Sequence, residues 1–224
     1  ITIRQTIRED IAMITNDLKD ALLRLFTGDD DLRPQFHHPF NYEDSVCATN
    51  GHIMILVSGK DERYPATNLN IAQVLPTDIT HSRIISIEGL RIALDSIPKV
   101  EQLEEISKEC DECNGSGLTE CGECGQERDC SDCEGDGTVK EKSKPSGIFV
   151  DDEKATILID EAVFNVVYAR KLVAVSDLLD VKSIDRKTLS APLHSNLFEI
   201  NSEVRVVLMP MRVNDVSEAT VRYI

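Results

Sequence analysis

The sequence predicts an α+β fold in which helices pack on an antiparallel sheet, interrupted by a small inserted cysteine-rich module. Three observations carry this. Two apolar runs, SVCAT and HIMILV, are joined by Asn50-Gly51, the signature of a β-hairpin. Stretches with helical period alternate with strand-like runs on both sides of the chain's middle. Six of the seven cysteines fall within 24 residues as three Cys-x-x-Cys pairs, in a segment poor in large apolar residues.

The elements follow in order. Ile7, Ile11, Ile14, Leu18, Leu22 and Leu25 recur at helical spacing, which predicts an amphipathic helix over 7–26, ended by Gly28 and the run Asp29 to Asp31. A loop rich in Pro and His leads to the hairpin, whose tight turn calls for positive φ at both Asn50 and Gly51. Beyond a polar loop through Pro65 and Pro76, a strand is expected over 83–87 and a short helix over 88–96, stopped near Pro98. After the cysteine segment come strands near 147–150 and 155–159, a strongly apolar helix over 161–179, and closing strands over 193–200 and 203–213. The domain reading is a discontinuous α+β domain, 1–104 and 146–224, holding an insert over 105–145.

The cysteines read as a metal site. Zinc favours four thiolates in a tetrahedron, and each Cys-x-x-Cys turn offers two of them. The first and third pairs, Cys110/Cys113 and Cys130/Cys133, share one tail, CDECNGSG and CSDCEGDG, and sixteen residues separate them. That spacing suits two knuckles around one Zn2+, so these four are the expected ligands. The middle pair, Cys121/Cys124, lies seven and five residues from its neighbours and lacks the second glycine of the tail. A second complete site there would need two further ligands, and the insert holds no histidine. A disulfide framework is the other reading of the cluster; such frameworks belong to short secreted chains, and no stretch here reads as a signal peptide. The reduced reading implies a cytoplasmic protein. Cys47, in an apolar strand, reads as a small buried hydrophobe.

The formal charge of −16 argues against a protein that coats nucleic acid over its whole surface. The cysteine segment is more acidic still: ten acidic residues between Glu109 and Asp136 face only Arg128. No apolar run approaches membrane-spanning length. No nucleophile with a base, phosphate-binding loop or paired-carboxylate motif stands out, so no catalytic residue is assigned and the chain is read as a non-enzyme.

Two stretches outside the insert carry a resemblance. CATNGHIMIL resembles the ATDGHRLA hairpin of the bacterial DNA polymerase III beta-subunit sliding clamp, and VRVVLMPMRV resembles that clamp's C-terminal VVMPMRL. The resemblance implies a DNA-clamp-like arrangement of helices on antiparallel sheet. It also implies a hydrophobic groove that captures short peptides of polymerase and clamp-loader proteins. The matching positions are Thr49, Gly51, His52 and Met54 in the hairpin, and Met209, Pro210, Met211 and Arg212 near the C-terminal end. Met209 and Met211 are expected on one face of a strand. Methionines suit a surface that accepts several peptides. Asn50 and Ile53 stand where the family has Asp and Arg, which removes charge but leaves the turn.

A bacterial clamp protomer has three such domains with the groove between neighbours. This chain, less its insert, has roughly 180 residues, so the groove is expected within the domain or across a subunit contact. The family resemblance further implies double-stranded DNA as a partner and allows a homo-oligomeric ring, yet neither the first nor the last helix carries a basic stripe. The cysteine segment separately resembles the cysteine-rich module of DnaJ-type chaperones. Two functions follow: a clamp-like factor of DNA replication or repair, or a zinc-knuckle adaptor that binds protein and has no direct DNA role.

Overall fold

The computed structural model describes residues 14–76, 79–121, 124–140, 143–188, 194–211 and 220–223. It divides into two compact units, one formed by Ile1–Pro98 with Glu153–Ile224, the other by Lys99–Asp152. The second unit is wider than the 105–145 insert read from composition, because strand pairing extends beyond the cysteine segment on both sides.

In the first unit, α1 (Asn16–Arg24) is followed by β1 (Phe40–Tyr42), β2 (Ser45–Thr49), β3 (Ile53–Ser58), β4 (His81–Ser86) and α2 (Ile87–Asp95). The second unit contains β5 (Lys99–Glu104), β6 (Ser107–Glu109), β7 (Leu118–Glu120), β8 (Glu127–Asp129), β9 (Thr138–Lys140) and β10 (Lys144–Asp151). The first unit resumes with β11 (Thr156–Ile159), β12 (Ala162–Asn165), α3 (Val166–Leu178), β13 (Ser183–Thr188), β14 (Asn196–Glu199), β15 (Val204–Leu208) and β16 (Thr220–Tyr223).

Seven strands form one antiparallel sheet in the order β1-β2-β3-β15-β14-β13-β4. Its centre is buried on both faces, and the residues of β3 show why. Ile53, Ile55 and Val57 point into the main core, which includes Leu22, Leu90 and Leu172 of the three helices. Met54 and Leu56 point into a second cluster with Phe40, Cys47, Ile71, Leu197 and Val207. A strand with a core on each side must be apolar at both parities, and HIMILV is. The second face is covered by a short 3-10 turn, Ile71–Gln73, with Leu69, Val74 and Leu75 packed beside it. A smaller sheet has the order β12-β11-β16, with β11 and β16 parallel.

Each helix begins where a side chain satisfies a free amide. Thr15, Ser86 and Asn165 accept from Leu18, Gly89 and Val167 respectively. These caps correct two expectations. The helix expected over 7–26 begins at Asn16, because Thr15 is extended and caps it; Ile7 and Ile11 lie outside the described residues. The helix expected over 161–179 begins at Val166. Its first residues form β12 instead, paired with β11 through a turn at Asp160, whose φ is +55°. The Asn-Gly turn also differs: only Gly51 has positive φ (+92°). The Asn50 side-chain oxygen accepts from the amides of His52 and Ile53, so the side chain closes the loop that a two-residue turn would close with backbone alone.

Candidate functional site

The hairpin loop, the end of β15 and the 3-10 turn converge on an apolar groove of about 250 Å³. Thr49, Gly51, His52, Met54 and Met209, five of the eight positions chosen from the sequence, line it. Thr49 is buried; its hydroxyl donates to the Ile53 carbonyl (2.8 Å) and accepts from the Gly51 amide (3.0 Å), which fixes the loop shape. A Cβ on Gly51 would lie 2.9 Å from an Arg33 guanidinium nitrogen and 3.1 Å from the Phe36 ring, so glycine lets Phe36 close one wall. His52 is exposed and stacks on Tyr168 with ring centroids 5.7 Å apart. Met54 is buried in the second core cluster, whereas Met209 is 37% exposed and offers its side chain to solvent at the groove.

Met209 and Met211 do not share a strand face. Strand β15 ends at Leu208, after which the Met209 amide donates to the His52 carbonyl and the Met211 amide to the Val163 carbonyl. Pro210 between them has no N–H to continue a ladder. Met209 reaches the groove; Pro210 and Met211 do not line it, and Arg212 lies outside the described residues. The opposite wall, with Phe36, Leu69, Ile71 and Val74, escaped the sequence reading. Its signal was the set of apolar residues 69, 71, 74 and 75 inside a segment read as polar loop.

The second unit brings Cys110, Cys113, Cys130 and Cys133 together, all buried, with sulfurs within 4.8 Å of one another. Cys110 and Cys130 sulfurs are 3.8 Å apart, and those of Cys113 and Cys133 are 3.7 Å apart. Four sulfurs about 2.3 Å from a shared tetrahedral ion stand about 3.8 Å apart, so the donor set fits a metal ion; disulfide sulfurs are only about 2.05 Å apart. The surrounding backbone repeats with near two-fold symmetry. The Gly117 amide donates to the Cys113 sulfur and the Gly137 amide to the Cys133 sulfur, at 3.3 and 3.2 Å. The Cys110 amide donates to the Gly137 carbonyl and the Cys130 amide to the Gly117 carbonyl. The repeated CxxCxGxG tail thus produces two knuckles that each bind the other's backbone. Burial pushes the Cys113 thiol up, but the Gly117 amide and the neighbouring thiols bring it down to about 7, whereas the Cys110 thiol is raised. Cys121 and Cys124 stand outside the cluster, where Cys121 closes the β7–β8 hairpin by accepting from the Gly125 amide. Burial pushes the Cys47 thiol up to about 12, as an inert core residue requires.

Several cations of the first unit, two of them on α3, are engaged within it. Arg170 pairs with Asp95 and donates to the Leu94 carbonyl, each at 3.0 Å. Lys171 lies over the Phe26 ring at 5.7 Å. Arg63 joins Asp20 and Asp61 in an ion-pair network at 2.9 and 2.7 Å.

No sequence-family model matches the chain, and no curated protein matches it. Among solved structures it is similar to a DNA polymerase sliding clamp from Bacillus subtilis, at 12% identity and a TM-score of 0.48, over 90% of this chain and 63% of that one. It is also similar to the DNA polymerase III beta subunit from Thermotoga maritima, at 10% identity and a TM-score of 0.45, over 88% of this chain and 64% of that one. A third is the DnaN sliding clamp from Bartonella birtlesii bound to griselimycin, at 13% identity and a TM-score of 0.46, over 87% and 64%. The chain spans less than two thirds of the length of these bacterial clamps.

Proposed function

We propose that the protein is a non-enzymatic, sliding-clamp-like factor of DNA replication or repair, of bacterial or phage origin, that captures short peptides of polymerase or clamp-loader-like proteins in the groove beside Met209. The observation that carries this reading is the convergence of Thr49, Gly51, His52 and Met209, drawn from two motifs more than 150 residues apart, on one apolar groove. An apolar cleft rimmed by a few polar groups, with a flexible methionine at its mouth, suits apolar peptide anchors. We further assign Cys110, Cys113, Cys130 and Cys133 as ligands of one structural Zn2+, because four buried cysteine sulfurs within 4.8 Å of one another are the donor set that ion favours. Peptide capture comes before DNA binding in this reading, since the helix cations Arg170 and Lys171 are engaged internally.

Fluorescence anisotropy with short labelled polymerase and clamp-loader peptides tests the groove, alongside light scattering and a duplex-DNA binding assay. Met209→Ala, at a partly exposed position, should weaken peptide binding about tenfold while leaving Tm unchanged. A monomer that binds neither peptide nor DNA would refute the function.

A further inference from the structure

The β5–β10 ribbon poses a separate problem. Among the described residues it is a two-stranded antiparallel sheet. A bulge in β10 between Pro145 and Phe149 interrupts its register. Pairing puts Leu103 and Phe149 on one face and Val100 with Val150 on the other, while Ile148 sits in the bulge. These side chains are unburied: Phe149 is 60% exposed, Leu103 58% and Ile148 55%. A ribbon with apolar residues on both faces has no interior of its own to place them in. Covering them calls for apolar side chains from another segment.

Charge says what kind of segment. Between Lys99 and Asp152 sixteen Asp and Glu oppose six Lys and Arg, a formal charge of −10 within a chain of −16; three of the carboxylates and two of the lysines lie on the two strands, and most of the acidic excess lies in the cysteine segment that joins them. Four metal-bound thiolates would make the unit more negative still. Such a surface repels phosphate backbones and anionic lipid headgroups, and two copies of it repel each other. It attracts a cationic polypeptide.

We propose that the β5–β10 ribbon is a docking surface for an extended, Lys- or Arg-rich polypeptide segment of a partner protein. Apolar residues of that segment cover Leu103, Phe149 and Ile148, and its cations meet the acidic surroundings. The surface is independent of the Met209 groove.

The test uses the full-length chain and three short labelled peptides, with alternating Lys–Leu, Glu–Leu and Lys–Ser sequences, in an anisotropy titration. The Lys–Leu peptide should bind at least about tenfold more tightly than either other peptide. Its affinity should fall steeply between about 50 and 200 mM salt. Leu103→Ser/Phe149→Ser should weaken it about tenfold or more, whereas Met209→Ala should leave it unchanged. If the double variant loses its metal, Ile148→Ser provides the same reading from the bulge. Equal binding of Glu–Leu, no binding of Lys–Leu, or binding unmoved by the ribbon variants would overturn the proposal. So would loss of binding in Met209→Ala, or a concentration-dependent dimer abolished by the ribbon variants, which would assign the surface to a second copy.

Discussion

Two glycines with the same backbone conformation give the sharpest test of the cysteine centre. Gly117 and Gly147 both have φ of +76° in the second unit. An alanine at either position carries the same left-handed penalty of about 1–2 kcal/mol. Their surroundings differ. A Cβ on Gly147 would meet nothing within 4 Å, whereas a Cβ on Gly117 would lie 2.2 Å from the Gly135 carbonyl oxygen and 3.0 Å from its carbon. Real contacts of this kind do not fall under 3.0 Å, so the two knuckles must separate by about 0.8 Å at that point. The obstacle is backbone and cannot rotate away. The same glycine donates to the Cys113 sulfur and accepts from the Cys130 amide, so the shift reaches sulfurs now 3.7–3.8 Å apart. Disturbing the groups that orient metal ligands costs about 10–100-fold in affinity. Gly117→Ala should therefore bind Zn2+ about 10–100-fold more weakly than Gly147→Ala in a competition titration against a chromophoric chelator, a difference of about 1.4–2.7 kcal/mol. Gly137→Ala should behave like Gly117→Ala, because its Cβ would stand 2.3 Å from the Gly115 carbonyl oxygen. Equal zinc affinity in Gly117→Ala and Gly147→Ala would refute the claim that the glycine contact holds the sulfurs in place.

Elemental analysis should find about one zinc per chain, lost in Cys110→Ser and Cys130→Ser but kept in Cys121→Ser, since only the first two belong to the buried four-sulfur cluster. Phe198→Ala should destabilise the first unit by about 3–5 kcal/mol in chemical denaturation, because a fully buried ring in edge contact with Phe164 leaves a cavity. The Asp20–Arg63–Asp61 network predicts an acid dependence. Hydrogen bonding from Arg63 lowers Asp61 to about 2, and Arg63 with Tyr64 also lowers Asp20. A lowered carboxyl contributes stability that is complete above its unfolded value, near 3.9, and is lost as pH falls through its folded one. The loss therefore lies between about pH 4 and pH 2, and Asp61→Asn should flatten that part of a Tm-against-pH curve. An unchanged slope would show that the network adds nothing measurable to folding.

Much of the local structure was legible. The hairpin was written in its apolar runs and Asn-Gly turn, α2 in the short helix expected over 88–96 before Pro98, and the four-sulfur cluster in the matched tails of Cys110/Cys113 and Cys130/Cys133. Other features were hidden for identifiable reasons. The segment Ala162–Asn165 is apolar and continuous with α3, so its periodicity does not separate strand from helix; Asn165, as a cap, was the mark of the boundary. Strand β13, SIDRKT, is mostly polar and gave no apolar alternation, yet it pairs over six residues with β4. Its Arg186 is buried against Asn196 and pairs with Asp160, an arrangement that no reading of local pattern contains.

The sequence by itself determined which side chains hold the cysteine centre, because two knuckles sixteen residues apart need little more than chain connectivity and glycine geometry to meet. It also selected the two motifs that meet at the groove. Only the tertiary structure decided how they meet. The pairing of β3 with β15 brings Met209 beside His52, and the end of that ladder at Leu208 sends Met211 elsewhere. The far wall, Leu69 to Val74, is placed by burial against the second face of the sheet. Sheet order and packing between distant segments depend on long-range apolar burial, which local propensity does not encode.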